Sequence, residues 1–147
     1  MDFTGNKLAT YFIDSNIFIY AVGKDHPFKP GCIALIQKIR GGKITAVIST
    51  EIIQEILYRF QSIKNLPAGI QLSQAAIQLS SIILPVTETD LSRAIDILET
   101  SPTIQTRDAF HAAVMLNNDL REIISTDSYF DQIQGIRRLD PGLVFSK

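Results

Sequence analysis

The chain contains few of the residues that mark disulfide-rich, zinc-binding or membrane proteins. Among 147 residues there are one cysteine, two histidines and no tryptophan. A lone cysteine forms neither an internal disulfide nor a multi-cysteine zinc site, so we expect Cys32 to be a small buried side chain. No apolar run approaches the ~20 residues that span a bilayer, and none near Met1 has signal-peptide character. We therefore expect a cytoplasmic protein without a membrane segment.

An excess of charge of one sign is also absent. The chain has 14 Lys+Arg against 15 Asp+Glu, a formal net charge of -1. Neither a strongly basic field that attracts nucleic acid nor an acidic disordered tail is indicated. The length is typical of one domain, spanning 1–147. A polyanion would have to be bound locally, by cations among Lys24, Lys29, Lys38, Arg40, Lys43, Arg59, Lys64 and Arg107.

Short apolar runs alternate with longer segments of helical periodicity. The predicted strands are 9–13, 44–48, 82–86 and 122–125, with 136–139 as a short edge strand. The predicted helices are 28–41, 51–64, 68–81, 88–100 and 107–118, with a short helix beginning at Asn16. We expect Pro67 and Gly69 to separate the second of these helices from the third. This alternation predicts an α/β fold with a mostly parallel sheet of four or five strands covered by helices.

Carboxylates follow the predicted strands at informative places. Asp14 ends the first strand and Asp127 follows the fourth. Ligands of open α/β sheets bind at the carboxyl ends of strands, so these two acids share one rim if their strands are parallel neighbours. Asp108 lies in the first turn of a helix, behind Thr106 as a predicted cap, where a carboxylate also suits the helix dipole.

A fourth acid is selected by helical geometry. At 100° per residue, Glu55 lies about 60° beyond the apolar arc of its helix, whereas Glu51 points almost directly away from the protein. Glu55 falls in the second turn, some 6–9 Å along the axis, within reach of the strand-end rim. We therefore favour Glu55 over Glu51 as the helical ligand.

Each acid also has a structural explanation. Asp14 and Asp108 suit helix N-termini, Asp127 suits a turn, and Glu55 suits an i, i+4 pair with Arg59. Four carboxylates on one rim nevertheless repel unless they are protonated or a cation joins them. Oxygen ligands without cysteine favour Mg²⁺, or Mn²⁺, over zinc. The sequence thus predicts a metal centre formed by Asp14, Glu55, Asp108 and Asp127.

Four motifs in order resemble those of PIN-domain nucleases, and the resemblance extends over nearly the whole chain. It is nearest to the short bacterial and archaeal proteins that are the toxins of VapBC toxin-antitoxin pairs. The matching segments are Phe12-Ile13-Asp14-Ser15-Asn16, Ser49-Thr50 through Gln54-Glu55, Arg107-Asp108-Ala109-Phe110-His111, and Ser125-Thr126-Asp127 through Asp131.

The resemblance implies a three-layer α/β/α sandwich and a role for each matched position. Asp14, Glu55, Asp108 and Asp127 correspond to the family's metal-binding acids. Asn16, Thr126 and Asp131 correspond to supporting positions. Ser15 keeps the hydroxyl of the more usual threonine. The implied activity is Mg²⁺-dependent hydrolysis of RNA phosphodiesters by an activated water, without a covalent enzyme intermediate. The implied partners are RNA, a second copy of the chain and a small antitoxin.

Other functions were compared with this one. A haloacid-dehalogenase-type phosphatase needs a second carboxylate two residues after the first, where this chain has Asn16. A receiver-like module needs a phosphoacceptor aspartate, but the third strand ends Leu84-Pro85-Val86. A catalytically silent PIN-fold binding module and a solitary RNA-processing nuclease remain as alternatives. We expect His111 to be a helix-surface residue and the aromatic residues to pack in the core, with none assigned to base stacking.

Overall fold

A fully parallel five-stranded sheet forms the centre of the computed structural model, which describes residues 8–145. The segment 1–7, where no signal-peptide run was found, and residues 146–147 lie outside the described part. The strands have the spatial order β3-β2-β1-β4-β5. They are β1 (Ala9–Ile13), β2 (Ile44–Ser49), β3 (Ile82–Leu84), β4 (Glu122–Ile124) and β5 (Arg137–Leu139). The edge strand predicted at 136–139 is present, and β5 pairs with β4.

Within residues 8–145, seven α-helices flank the sheet, and all but the last, which follows the final strand, lie in connections between strands. They are α1 (Ser15–Val22), α2 (Lys29–Arg40), α3 (Thr50–Ser62), α4 (Leu66–Leu79), α5 (Glu88–Thr100), α6 (Thr106–Asn117) and α7 (Pro141–Val144), with a 3-10 helix at Ser128–Gln132. Parallel strands require such crossovers, which lie on the faces of the sheet. The predicted α/β fold is therefore confirmed.

The structure differs from the prediction at two prolines, Pro85 and Pro67. The strand β3 ends at Leu84, two residues early, because Pro85 has no N–H to donate to a neighbouring strand. Pro67 and Gly69 do not separate the helices, since both lie inside α4, where Pro67 occupies the first turn. The chain instead turns at Lys64, with φ of 60°. Gly69 lets the helices approach closely, because a Cβ there would lie 2.6 Å from Cβ of Phe60.

The core lies on both sides of the central strands. Phe12 and Ile13 of β1 are fully buried, as are Ile123 and Ile124 of β4. Cys32 is fully buried as predicted, and burial raises the pKa of its thiol to about 12. The helix α6 is buried around most of its circumference, including the run 112–116. Within residues 8–145, no helix is long and apolar enough to span a membrane.

Candidate metal centre and active-site groove

Asp14 lies at the carboxyl end of β1 and is almost fully buried. Its Oδ1 accepts a hydrogen bond from the Ser15 N–H at 2.8 Å, which caps α1. Its Oδ2 accepts from Oγ of Ser125 at 2.6 Å and from Nδ2 of Asn16 at 3.3 Å. The backbone N–H of Asp14 donates to the Ile124 carbonyl at 3.1 Å, so β1 and β4 end side by side. The Asp14 carboxylate thus both caps α1 and lies at the rim where β1 and β4 end.

The segment after β4 folds over Asp14. Oγ of Ser125 accepts the Asp127 N–H at 2.9 Å, and Oδ1 of Asn16 accepts the Thr126 N–H at 3.4 Å. Oδ1 of Asp127 accepts the Tyr129 N–H at 3.0 Å, which begins the 3-10 helix. These bonds hold the predicted supporting residues Asn16 and Thr126 against the acidic rim.

Glu55 joins the site from α3. Its Oε1 accepts a hydrogen bond from Oγ of Ser15 at 2.8 Å, and both of its carboxylate oxygens lie 3.0 Å from Nε2 of His111. In the described part of the chain, Glu55 therefore bonds to Ser15 and His111, and not to Arg59, the i, i+4 partner considered in the sequence analysis. The prediction that Glu51 points almost directly away from the protein was wrong, because Glu51 is partly buried and lines the same groove. It nevertheless contributes no ligand atom to the cluster that Glu55 forms with Asp14 and His111.

His111 is buried, and its prediction as a helix-surface residue was wrong. The side chain is 1% exposed, and its Nε2 lies 3.9 Å from Oδ1 of Asp14 as well as beside Glu55. The signal was present in the sequence, because the run Ala112-Ala113-Val114-Met115-Leu116 is apolar around the whole helix. Such a helix is buried on all sides, and a polar residue on it needs a polar partner.

Asp108 approaches from the first turn of α6 and is 2% exposed. Among the described residues, its Oδ2 has no hydrogen-bond partner. The predicted Thr106 cap is wrong: Thr106 is the first helical residue, and the cap position is Gln105, whose side chain makes no capping bond. Asp108 is therefore free of a capping role for that turn and lies next to the carboxylate of Asp127.

The carboxylates perturb one another strongly. Burial, followed by the neighbouring Asp127 carboxylate, raises the pKa of Asp108 to about 8. Burial also raises the pKa of Asp14, and this outweighs the opposing effects of His111 and Ser125. Burial disfavours the charged form of Glu55 too, but the hydrogen bond and charge of His111 more than offset it, so the pKa of Glu55 is lowered.

The charge of His111 follows from the same contacts. Burial opposes protonation of the ring, but the hydrogen bond with Glu55 and the negative charges of Glu55 and Asp14 raise the pKa of His111 to about 8. The metal-free cluster thus holds extra protons at neutral pH, as expected when several negative groups converge without a cation.

The donor set fits a divalent cation. Ligand atoms of Asp14, Glu55 and His111 all lie within 4.8 Å of one another. Asp108 adds a buried carboxylate oxygen that lacks a partner among the described residues. Carboxylate-rich sites of this kind suit hard ions such as Mg²⁺ or Mn²⁺.

The cluster lies in a groove of about 720 Å³. All four predicted metal-binding acids line it, together with Asn16 and Thr126. Asp131 is not among the groove residues. Its two carboxylate oxygens accept hydrogen bonds from Nε and Nη2 of Arg138 at 2.9 and 3.0 Å. Arg138 in turn donates to the Ser125 carbonyl at 3.1 Å, so this arginine links Asp131 to the site.

Comparisons with known proteins agree with this architecture. The family model "PIN domain" matches residues 11–136. The VapC ribonuclease Mb1869c of Mycobacterium bovis and ribonuclease VapC13 of Mycobacterium tuberculosis are each 37% identical over 127 residues, or 86% of this chain and 97% of each relative.

Solved structures show the same fold at low sequence identity. DNA-bound VapBC from Salmonella typhimurium has a TM-score of 0.70 at 16% identity, covering 92% of this chain and 99% of the other. VapC20 of Mycobacterium tuberculosis, described as a Sarcin-Ricin loop cleaving toxin, has a TM-score of 0.67 at 16% identity, covering 86% and 98%. From the matching family model and the 37% identical relatives, the chain belongs to the PIN-domain family and, within it, to the VapC ribonucleases.

Proposed function

We propose that this protein is a VapC-type toxin that hydrolyses RNA phosphodiester bonds with a bound divalent ion, Mg²⁺ or Mn²⁺. The observation that carries the proposal is the convergence of four carboxylates from β1, α3, α6 and the segment after β4 in one groove. Such a convergence is costly without a cation. A catalytically silent module would not need to retain all four, and this favours the enzyme over the binding alternative.

In this proposal Asp14, Glu55, Asp108 and Asp127 hold the ion, which when bound supplies an activated water and neutralises charge on the scissile phosphate. Ser125 and Asn16 fix the rotamer of Asp14 through its Oδ2. His111 orients Glu55 by contacting both carboxylate oxygens. Ser15 donates to Glu55 and is thereby held as a hydrogen-bonding group, so it is not assigned as a nucleophile.

Cations at the groove provide contacts for the RNA backbone. Arg59 and Arg107 line it, and the charge of Arg107 acts on Glu55. Phosphate contacts of this kind are chiefly electrostatic. A metal ion bound by the acids and the two arginines at the groove would together bind a polyanion such as RNA. This local positive charge is needed because the chain as a whole has no excess of positive charge.

The proposal is tested by incubating labelled RNA with the wild type and Asp14→Asn in Mg²⁺, Mn²⁺ or EDTA. We expect cleavage by the wild type with either metal, none in EDTA, and loss of at least about 100-fold in Asp14→Asn, with the fold retained by circular dichroism. Cleavage that persists in EDTA, or full activity of the variant, would refute the metal-dependent site.

We further propose a homodimer in the cytoplasm and inhibition by a small antitoxin. The structure of similar fold from Salmonella typhimurium is a VapBC complex, and the groove is open to an inhibitory segment. Co-expression with the product of an adjacent small gene should suppress RNA cleavage. Suppression also separates a toxin from a solitary RNA-processing nuclease, which has no such partner.

A further inference from the structure

Two tyrosines that are not members of the acidic cluster line the groove, on different helices. Tyr20 belongs to α1 and Tyr58 to α3. Neither takes part in the hydrogen bonds that build the metal centre. Tyr20 is partly buried and packs against the hydrophobic core, as expected for the aromatic residues, and its side chain also lines the groove. We infer that these rings form a stacking site for unpaired RNA bases next to the scissile phosphate.

Tyr58 is the more exposed of the two. It is 66% exposed, compared with 39% for Tyr129, an exposed tyrosine that does not line the groove. Along α3, Glu51, Glu55, Tyr58 and Ser62 recur at helical spacing and line one wall. Tyr58 follows Glu55 by three residues, or ~4.5 Å along the axis. We therefore assign a base stacked on Tyr58 to a nucleotide close to the phosphate at the acids, because both line the same groove.

Tyr20 is held in place by other aromatic rings. Its ring centroid lies 4.5 Å from that of His26 and 5.5 Å from that of Phe28, and the rings of His26 and Phe28 stack at 5.3 Å. Nδ1 of His26 accepts the Phe28 N–H at 3.1 Å, which fixes the imidazole. A ring fixed before binding loses little conformational entropy when a base stacks on it.

The chemistry of the groove selects single-stranded RNA. Every base has a π-face, and stacking on an aromatic side chain is favourable whatever the base, but the faces of paired bases in a duplex are already covered. Arg59, next to Tyr58, and Arg107 supply charge for the phosphates between such bases. This inference rests on the proposed ribonuclease function and assigns Tyr20 and Tyr58 as the side chains that contact the bases next to the scissile phosphate.

The test measures binding separately from cleavage. Fluorescence anisotropy with Ca²⁺ in place of Mg²⁺ would compare a labelled single-stranded oligoribonucleotide, the same strand with one abasic site, and its duplex. We expect Tyr58→Leu to weaken binding of the intact single strand by about five- to a hundredfold, and Tyr58→Phe, which keeps the ring, to remain within about twofold. Leu91→Ala, at an exposed apolar side chain on α5 that does not line the groove, serves as the control for loss of exposed apolar surface elsewhere. In Mg²⁺, Tyr58→Leu should raise KM with little change in kcat.

The outcomes are distinguishable from failure of the proposed function. If the wild type cleaves RNA but Tyr58→Leu binds it with unchanged affinity, or if no abasic position along the strand weakens wild-type binding, the stacking site is wrong and the nuclease stands. An unchanged RNA affinity with a shift from dimer to monomer on size exclusion would assign Tyr58 to a subunit interface instead. A wild type that neither binds nor cleaves RNA would overturn both.

Discussion

Replacing Asp108 by asparagine should abolish metal-dependent activity and yet stabilise the metal-free protein. Burial and the neighbouring Asp127 carboxylate raise the pKa of Asp108 to about 8 from its ordinary 3.8, so in the absence of metal the folded state holds a proton that the unfolded state releases. The contribution of Asp108 to the free energy of unfolding is fully present below pH ~4 and is lost as the pH rises towards the folded-state pKa. Asparagine has the same shape without the charge, and its NH₂ group can donate to Asp127.

The magnitude follows from the size of the shift. Each pH unit within this window costs the wild type about 1.4 kcal/mol relative to an uncharged side chain, so at pH 7 the full difference is about 4 kcal/mol. Solvent relaxation around the site reduces this figure, and we expect a gain of about 1–4 kcal/mol for Asp108→Asn at pH 7 and almost none near pH 4. His111 does not offset the trend, because its pKa is raised as well and its contribution is also lost towards high pH.

The assay is urea unfolding in EDTA at several pH values between about 4 and 8. Asp96→Asn, at an exposed carboxylate on α5, is the matched control and should stay within about 0.5 kcal/mol of the wild type throughout. Added Mn²⁺ should raise the melting temperature of the wild type but have little effect on Asp108→Asn, since a ligand stabilises only a protein that binds it. A variant with no gain at pH 7, or with the same gain at pH 4, would refute the reasoning.

Two other substitutions test the site and the fold. Glu55→Gln should lower RNA cleavage by roughly 100-fold and weaken stabilisation by Mn²⁺. Glu51→Gln removes no contact to His111, so its cleavage rate should stay within about tenfold of the wild type. Equal losses in the two variants would contradict the choice of Glu55 as the ligand. Gly31→Ala should lower the free energy of unfolding by about 1–3 kcal/mol, because the added Cβ would lie 2.1 Å from the Pro141 carbonyl oxygen, and unchanged urea unfolding would show that α7 moves away freely.

The parts of the fold and site that the sequence predicts are those set by local pattern. The strands β1 and β2 have apolar runs ending in polar residues, and the adjacency of Asp14 and Asp127 follows once β1 and β4 are parallel neighbours. Helical angles favour Glu55 over Glu51 because a helix face depends only on residue spacing, but they misplace Glu51, which lines the groove as well. The assignment of these acids as ligands stays a prediction until metal binding is measured.

The parts that the sequence does not predict depend on distant contacts. His111 bonds to Glu55, 56 residues away, and its burial depends on how α6 packs against neighbouring elements. Asp131 bonds to Arg138 on β5, which no spacing rule indicates. Ser125 becomes a central residue only because its hydroxyl meets Asp14 across 111 residues. Local propensity contains no information on such pairings.

The place of β1 between β2 and β4 has a consequence for synthesis of the protein. Asp14 is made early, but its partner Ser125 and the neighbouring Asp127 are 111 and 113 positions later, which are separations read directly from the residue numbers. The ribosome must therefore synthesise all of the chain from Asp14 to Asp127 before these groups can meet. Incomplete products that stop before β4 lack Ser125, Asp127 and the strand beside β1, so we expect unfinished chains not to cut RNA in the cell that translates this message.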